Sequence, residues 1–187
     1  PLALSSLVGK VLLPARFDRL ASRMRDKLEG KVPTRIDFDT ANDSPPATPE
    51  KPRLGFTDIE QADRVQALLR SSGLTYGFSS LVVILGHASR NQNNPHASAY
   101  NCGACSGRFS GPNARLVTAM ANRPEVRALL AERGIEIPDG TWFVGGEHDT
   151  CLDTIFWSDL EDIPTNLAPA FEALQRKLHE ACRLHSR

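Results

Sequence analysis

The sequence predicts an α/β fold with a parallel sheet and flanking helices. Two short apolar segments, 81–85 and 141–145, have strand character, and segments with helical periodicity precede, separate and follow them. Strands that alternate with helices favour parallel pairing, because a right-handed crossover returns the chain to the sheet in the same direction. A chain of 187 residues is also long enough to bury one hydrophobic core.

The amino-terminal part of the chain predicts a helix followed by a linker. Residues 14–30 carry apolar side chains at helical spacing. Residues 41–53 contain four prolines and no aliphatic side chain larger than alanine, so this segment cannot hold a core. We therefore expect a helical segment at 1–40, a proline-rich linker at 41–54 and an α/β domain at 55–187. The apolar face of the first helix would consist of Phe17, Leu20, Met24 and Leu28.

Both ends of the sequence interrupt an amphipathic pattern. The chain begins at Pro1 rather than at a methionine, and it ends at Arg187 in a segment that still has helical character. We therefore expect an internal fragment of a longer protein, and the alternative is a processed mature protein.

The first helix of the α/β domain has a clear start signal. Thr57 is a predicted N-cap, and Glu60 three residues later completes a capping box. Gly73 predicts the end of the helix. The buried face would consist of Ile59, Ala62, Val65 and Leu69.

Three more helices and two strands follow. The strand at 81–85 is apolar at every position, which is typical of a strand covered on both faces. Proline occupies the first position of the helices predicted at 112–122 and 124–133. The second strand is predicted at 141–145 and the last helix at 165–185. The inward side chains of that helix would be Leu167, Phe171, Leu174, Leu178 and Ala181.

Two histidines follow the two predicted strands. His87 comes directly after the first strand, and His148 follows the second in the sequence Gly-Gly-Glu-His-Asp-Thr. The carboxyl ends of parallel strands meet at one edge of a sheet, where open α/β folds bind their ligands. We therefore expect both imidazoles at the functional edge.

A long polar loop at 88–111 connects the first strand to the next helix, and loops of this length are usually functional or disordered. With the strand-terminal His87 it offers His96, Cys102 and Cys105 as nitrogen and sulfur ligands. Zinc takes such ligands in a tetrahedron, and a catalytic zinc keeps one position for water. The pattern therefore favours a zinc site.

Other interpretations of the loop stay open. The cysteines could be buried thiols while the histidines cap strand ends. All four side chains could instead form a structural zinc-binding module. The spacing of Cys102 and Cys105 also fits a dithiol oxidoreductase, although the next predicted helix starts about seven residues after Cys105, too far for its dipole to lower a thiol pKa.

Further polar residues have weaker functional interpretations. His148 and Asp149 could orient a zinc ligand or contact substrate, since zinc-bound histidines need an acceptor for their second ring nitrogen. Arg115 could hold an anion such as bicarbonate, or it could be an ordinary surface charge. We expect no role for Cys151 or Cys182.

Composition excludes some classes of protein. Twenty-two basic residues balance twenty-two acidic ones, so nothing indicates a nucleic-acid partner. The longest aliphatic run covers only 81–85, far short of a membrane span. Four cysteines are too few for a disulfide scaffold, which favours a reducing compartment.

Several short stretches of the chain together match a known family. They are Gly55-Phe56-Thr57, Glu60-Gln61-Ala62, Leu81-Val82-Val83, Gly86-His87-Ala88-Ser89, Asn94-Pro95-His96, 99–105, 111–115, Pro138-Asp139, Thr141-Trp142-Phe143 and His148-Asp149-Thr150. On these residues the chain resembles the DabA family, the probable inorganic carbon transporter A subunits. The resemblance is close over about 53–160 and looser in the flanks, and the long loop is its most specific part.

The resemblance implies a β-carbonic-anhydrase-like fold and a split zinc site. Family members hold Zn²⁺ through a Cys and an Asp of a Cys-x-Asp-x-Arg motif, together with a later His and Cys that would be His87 and Cys102. No Cys-x-Asp-x-Arg occurs in this chain, so it would carry only half of the ligands. Asn101 stands where family members commonly have Asp, a change expected to affect local hydrogen bonding more than ligation.

The resemblance also implies a function and partners. It implies a peripheral subunit on the cytoplasmic side of the cell inner membrane, bound to a proton- or cation-conducting membrane subunit of the DabB type. Together they would couple an ion gradient to conversion of CO2 to bicarbonate. Because the zinc site is incomplete, we expect the chain alone to bind zinc weakly and to hydrate no CO2.

Overall fold

The computed structural model describes residues 47–91, 96 and 99–185, and before them residues 8, 9, 11–13, 16, 17, 20, 24, 34–38, 41, 42 and 45. The chain forms two compact units, Pro1–Arg35 and Ile36–Arg187. In the first unit the described residues Phe17, Leu20 and Met24 are helical, and Leu20 and Met24 are 59% and 56% exposed. The rest of the predicted apolar face, including Leu28, lies outside the described residues.

The second unit contains four α-helices and three strands among the described residues. The helices are α1 (Asp58–Ser71), α2 (Gly111–Ala121), α3 (Pro124–Glu132) and α4 (Ala168–His185). The strands are β1 (Leu81–Ala88), β2 (Trp142–Asp149) and β3 (Thr154–Trp157). Two short 3-10 helices, Gly103–Cys105 and Leu160–Asp162, lie in the connections.

The sheet is mixed, with the strand order β1-β2-β3. β1 and β2 are parallel, as the sequence predicts, but β3 is antiparallel to β2. The prediction of a wholly parallel sheet is therefore wrong, because a tight turn after β2 adds a strand too short and too exposed to stand out in the sequence. Both parallel strands also extend beyond their predicted ends at 85 and 145, so His87 and His148 lie inside the strands.

Helix α1 begins at its predicted cap. The hydroxyl of Thr57 accepts from the backbone N–H of Glu60, and the Glu60 carboxylate accepts from the backbone N–H of Thr57 at 2.8 Å. This reciprocal pair satisfies two backbone donors that the helix leaves free. The predicted buried face is confirmed with one exception: Ile59 is 60% exposed, and Gln61 is buried instead.

Helix α2 packs closely on one face of the sheet. A Cβ at Gly145 would lie 2.8 Å from Oγ1 of Thr118, and one at Gly86 would lie 2.4 Å from the carbonyl oxygen of Ser110. Small residues in both strands therefore let the helix and its entry loop approach the backbone. The main core lies between this face and α1, α2 and α3, and it includes Val65, Leu69, Met120, Val126, Leu130 and Phe143.

Helix α4 packs beside the short strand β3. The rings of Trp157 and Phe171 meet edge to face with centroids 5.0 Å apart, and Phe171 is the buried residue of the helix. Leu174 and Leu178 are half-buried, whereas Ala181 is exposed, which corrects its predicted inward position. Among the described residues, no helix combines the length and apolar character needed to cross a bilayer.

Candidate functional site

His87 and His148 are paired residues of adjacent parallel strands. Their side chains therefore leave the same face of the sheet, near its carboxyl edge. Both side chains are half-buried. The structure thus places the two sequence-predicted imidazoles side by side, although each lies one residue before the end of its strand.

The polar loop is hydrogen-bonded to His87 at residues on both sides of its cysteine pair. Nε2 of His87 donates a hydrogen bond of 2.7 Å to the carbonyl oxygen of Tyr100. The carbonyl oxygen of His87 accepts from the backbone N–H and the hydroxyl of Ser110, both at 2.9 Å. Tyr100 precedes Cys102 and Ser110 follows Cys105, so these bonds hold the thiol segment beside the end of β1.

Asn101 closes the loop against the residue that follows β1. Its Oδ1 accepts a hydrogen bond of 2.8 Å from the backbone N–H of Ser89. An aspartate at this position would offer the same acceptor and would add one negative charge to the loop.

Cys102 and Cys105 form a hydrogen-bonded thiol pair. The Cys105 thiol donates to Sγ of Cys102 across 2.8 Å, and Nδ2 of Asn113 donates to Sγ of Cys105 at 3.2 Å. The bond from Cys105, with further bonds from backbone N–H groups and the Ser110 hydroxyl, lowers the pKa of Cys102. The same partnership raises the pKa of Cys105. Cys102 is therefore the thiol that ionises first.

These donors fit zinc in type but not in number. Imidazole nitrogen and thiolate sulfur are the ligands zinc prefers, and a tetrahedral site needs four ligands or three with water. His87 and Cys102 supply one of each. His96 is exposed, and the described residues do not gather His87, His96, Cys102 and Cys105 into a group of three potential ligands.

Arg90 forms a charge cluster that the sequence analysis missed. Its guanidinium donates to the Glu147 carboxylate at 2.6 Å and to the Asp149 carboxylate at 3.1 Å. It also lies over the rings of Phe109 and Phe156, with its central carbon 4.8 and 4.2 Å from the ring centroids. The signal in the sequence is the pair of acidic residues at alternate positions, Glu147 and Asp149, at the end of a strand that begins with five apolar residues.

Asp149 is fully buried and has well-placed donors. Oδ1 accepts from the backbone N–H groups of Arg90, Cys151 and Leu152 at 3.0–3.2 Å. Burial by itself would raise the pKa of Asp149, but the bonds from Arg90, Leu152 and Cys151 outweigh it and hold the pKa below its ordinary value. This carboxylate contacts Arg90 rather than His87.

Helix α2 leaves room for the Glu147 side chain. A Cβ at Gly111 would lie 2.3 Å from Oε2 and 2.9 Å from Cβ of Glu147. A glycine at the first turn of α2 is therefore required for the helix to pass over the buried carboxylate.

Arg115 is paired with a carboxylate. Its Nε and NH2 each donate to Asp159 at 2.6 Å, in a two-bond arrangement. This hydrogen bonding to Asp159 raises the pKa of Arg115. The guanidinium therefore joins α2 to the segment after β3 in this structure.

Besides the loop residues around His87 and the charge cluster around Arg90, His148 belongs to a third polar cluster, formed with Asp153, Cys182 and His185. Its Nε2 donates to Oδ1 of Asp153 at 2.9 Å, and Nδ1 of His185 donates to Oδ2 of the same carboxylate at 3.1 Å. The bond from His148 is the largest cause of a lowered pKa at Asp153. Burial, with the bond to Asp153, raises the pKa of the Cys182 thiol. Cys182, for which we expected no role, thus lies in contact with Asp153.

The fold and these clusters define an α/β protein that gathers imidazole, thiol and carboxylate groups at the carboxyl edge of its sheet. Comparison with known proteins gives the family. The sequence model of the protein family described as "Probable inorganic carbon transporter subunit DabA" matches residues 1–187. A relative of that name from Dechloromonas aromatica (strain RCB) is 54% identical over 98% of this chain. Similar relatives from Methylococcus capsulatus and Nitrosococcus oceani are 52% and 48% identical over 95% and 98% of it. The chain belongs to the DabA family.

The chain spans only a small part of these relatives, 18% of the first and 17% of each of the other two. No solved structure matches it significantly. The family is therefore established by sequence.

Proposed function

We propose that this chain supplies half of a catalytic zinc site, with His87 and Cys102 as ligands, in a carbonic-anhydrase-like subunit for inorganic carbon uptake. One observation carries the proposal: the segment holding Cys102 is bonded to His87 on both sides, through Tyr100 and Ser110. A loop fixed in this way supports the proposal, because it holds the segment with the Cys102 sulfur beside the strand that carries His87.

The residues of the chain have defined tasks in this proposal. Zinc would lower the pKa of a bound water to about 7 and so provide a nucleophile for CO2 at neutral pH. Cys102 ionises before Cys105 because the Cys105 thiol donates to its sulfur. His87 would exchange its bond to the Tyr100 carbonyl for ligation, and its ring proton would move to the other nitrogen. Asn113 donates to the sulfur of Cys105, whose thiol in turn would orient the sulfur of Cys102.

The remaining ligands of the zinc would come from a part of the protein beyond this chain. The resemblance to the family implies a Cys-x-Asp-x-Arg motif, which this chain lacks. The small share of the relatives that the chain spans supports such a division of the site. Arg115, His148 and Asp149 are not assigned to this half-site, because Arg115 pairs with Asp159, His148 belongs to the cluster around Asp153, and Asp149 is bonded to Arg90.

For the whole protein we propose a place in a membrane complex. The relatives are named as subunits of a probable inorganic carbon transporter, which supports a partner. We propose a DabB-type membrane subunit that conducts protons or cations, and a peripheral position of this subunit on the cytoplasmic side of the inner membrane. CO2 and bicarbonate would be substrate and product.

The experiment is a zinc titration of three variants of this chain. All three carry Cys182→Ser, which removes the thiol of the third cluster. We expect weak binding in this parent, loss of binding on adding Cys102→Ser, and retention of most binding on adding Cys105→Ser. Equal loss in both cysteine variants would instead indicate a structural zinc module, and no binding in the parent would refute the half-site. Strong CO2 hydration by the chain alone would also contradict the proposal.

A dithiol oxidoreductase is the second candidate. The sulfur atoms of Cys102 and Cys105 lie 2.8 Å apart, and within this pair the pKa of Cys102 is the one that is lowered. In that case oxidised glutathione would convert both thiols to a Cys102–Cys105 disulfide and would itself be reduced to two thiols. The disulfide would form readily and reversibly, and zinc would not protect the thiols from oxidation. The zinc half-site requires such protection.

A further inference from the structure

The third cluster joins three separate elements of the fold. His148 comes from β2, Asp153 from the turn before β3, and Cys182 from the last turns of α4. In the part of the chain that the structure describes, they are the one group of at least three His, Cys, Asp or Glu side chains whose potential ligand atoms all lie within 4.8 Å of one another. We propose that His148, Asp153 and Cys182 form a second metal site, for a divalent ion of the zinc class.

The spacing of these atoms is close to that of a metal site. Ligand atoms around a tetrahedral zinc lie about 3.3–3.6 Å apart, given bond lengths of about 2.0–2.3 Å. His148 Nε2 and Asp153 Oδ1 are 2.9 Å apart, and the third atom lies within the 4.8 Å limit. Small side-chain rotations suffice to bring three ligands to one centre.

His185 lies beside these three ligands but does not belong to the group. Its Nδ1 donates to Oδ2 of Asp153 at 3.1 Å, whereas His148 contacts Oδ1 of the same carboxylate. The three ligands are one imidazole, one carboxylate and one thiolate, a set that suits zinc better than calcium or magnesium, which prefer oxygen. Water would take the fourth position of the tetrahedron.

The ligands are accessible to an ion from solvent. A pocket of about 260 Å³ opens beside the cluster, with Asp153, Cys182, His179, Trp157 and Leu178 in its wall. The ion would enter there and replace the proton of the Cys182 thiol, which is released to water, while the proton on Nε2 of His148 would move to Nδ1 and leave a neutral imidazole. His148 would then ligate through Nε2 while Asp153 exchanged its hydrogen bond for coordination.

A metal at this place would attach α4 to the sheet. The carboxyl-terminal half of α4 buries little, since Phe171 near its start is the buried residue of the helix. Ligation through Cys182 would connect the far end of the helix to β2 and to the turn before β3. The site is independent of His87 and Cys102, because it shares no ligand with them.

The test uses Co²⁺ as the probe and a parent chain carrying Cys102→Ser and Cys105→Ser, so that the outcome does not depend on the other cysteines. We expect one Co²⁺ per chain, with the near-ultraviolet band of a thiolate bound to cobalt. Adding Cys182→Ser should remove the band. The matched control is Cys151→Ser, which removes an exposed thiol in the turn before Asp153 and should leave the band unchanged.

Two further variants guard against loss of folding. His148→Gln and Asp153→Asn should each weaken Co²⁺ binding by about 100-fold or more, because even residues that only support a ligand cost 10–100-fold. Circular dichroism of each variant should match the parent. Zn²⁺ should raise the unfolding temperature of the parent but not that of the Cys182→Ser variant. A band that survives Cys182→Ser, or no binding by the folded parent, would overturn the proposal.

Discussion

His87 and His148 stand opposite each other in the parallel pair β1 and β2, yet each is bonded to a different part of the chain. His87 donates to the Tyr100 carbonyl in the loop, whereas His148 donates to Asp153 in the turn after β2. The two histidines therefore belong to two separate polar clusters.

Gly86 should be required for the approach of the loop to β1. A Cβ there would lie 2.4 Å from the carbonyl oxygen of Ser110 and 2.7 Å from the backbone nitrogen of Gly111. Because these are backbone atoms, Gly86→Ala should lower the free energy of unfolding by about 1–3 kcal/mol. The control is Gly140→Ala, where no atom lies within 4 Å of the added Cβ. Urea unfolding followed by circular dichroism measures both, and equal stability of the two variants would contradict this account.

Arg90 should hold together the buried acidic pair. Arg90→Met keeps an apolar stem against Phe109 and Phe156 but leaves the carboxylates of Glu147 and Asp149 without their cation. A fully buried pair broken in this way costs about 3–5 kcal/mol, and partial exposure of Arg90 reduces this to about 2–3 kcal/mol. Arg70→Met on α1 is the control, since Arg70 is exposed and its bond to the Arg133 carbonyl is 3.4 Å long. A loss no greater than that of the control would refute the role of Arg90.

Asp149 should make stability depend on pH in the acidic range. Its pKa in the folded chain lies below the ordinary value of 3.8, so its contribution is complete above that value and falls as the pH drops toward the folded pKa. Asp149→Asn lacks this titration. The difference in unfolding free energy between the native chain and the variant should therefore shrink between neutral pH and about pH 3. A difference that stayed constant over this range would show that the carboxylate charge contributes nothing.

The two thiols of the loop should react at different rates. The pKa of Cys102 is lowered and that of Cys105 is raised, chiefly by the hydrogen bond between them. Because the thiolate is the nucleophile, iodoacetamide should alkylate Cys102 before Cys105 in the metal-free chain. Peptide mass spectrometry gives the initial rates, with the exposed Cys151 as the reference for access. Faster labelling of Cys105 would reverse the assignment of the ionised sulfur.

Local signals in the sequence predicted local structure well. The capping box of Thr57 and Glu60 lies within one helical turn, so its outcome depends on nothing distant. The helical period predicts that Ile59 is buried. The structure exposes it because Gln61 fills the buried position, where its amide donates to the Phe56 carbonyl and accepts from Arg123.

The spacing of residues in the sequence does not predict contacts between side chains that are far apart along the chain. Arg90 lies 57 residues from Glu147, and no periodicity connects them. Cys182 meets Asp153 only because the mixed sheet turns back through β3 and leads the chain into α4. The paired histidines were predictable because parallel strands bring their carboxyl ends to a shared edge. The hydrogen bonds that place the two histidines in different clusters go to Tyr100 and Asp153, and nothing in the sequence marks these residues as partners.

X-ray absorption at the zinc edge tests the central claim most directly, using the Cys182→Ser chain with less than one equivalent of zinc. We predict a first shell with one sulfur at about 2.3 Å and one imidazole nitrogen at about 2.0–2.1 Å, with lighter oxygen atoms completing it. The sulfur should disappear in the Cys102→Ser variant. Two or more sulfur atoms, or a sulfur that persists without Cys102, would contradict a half-site formed by His87 and Cys102.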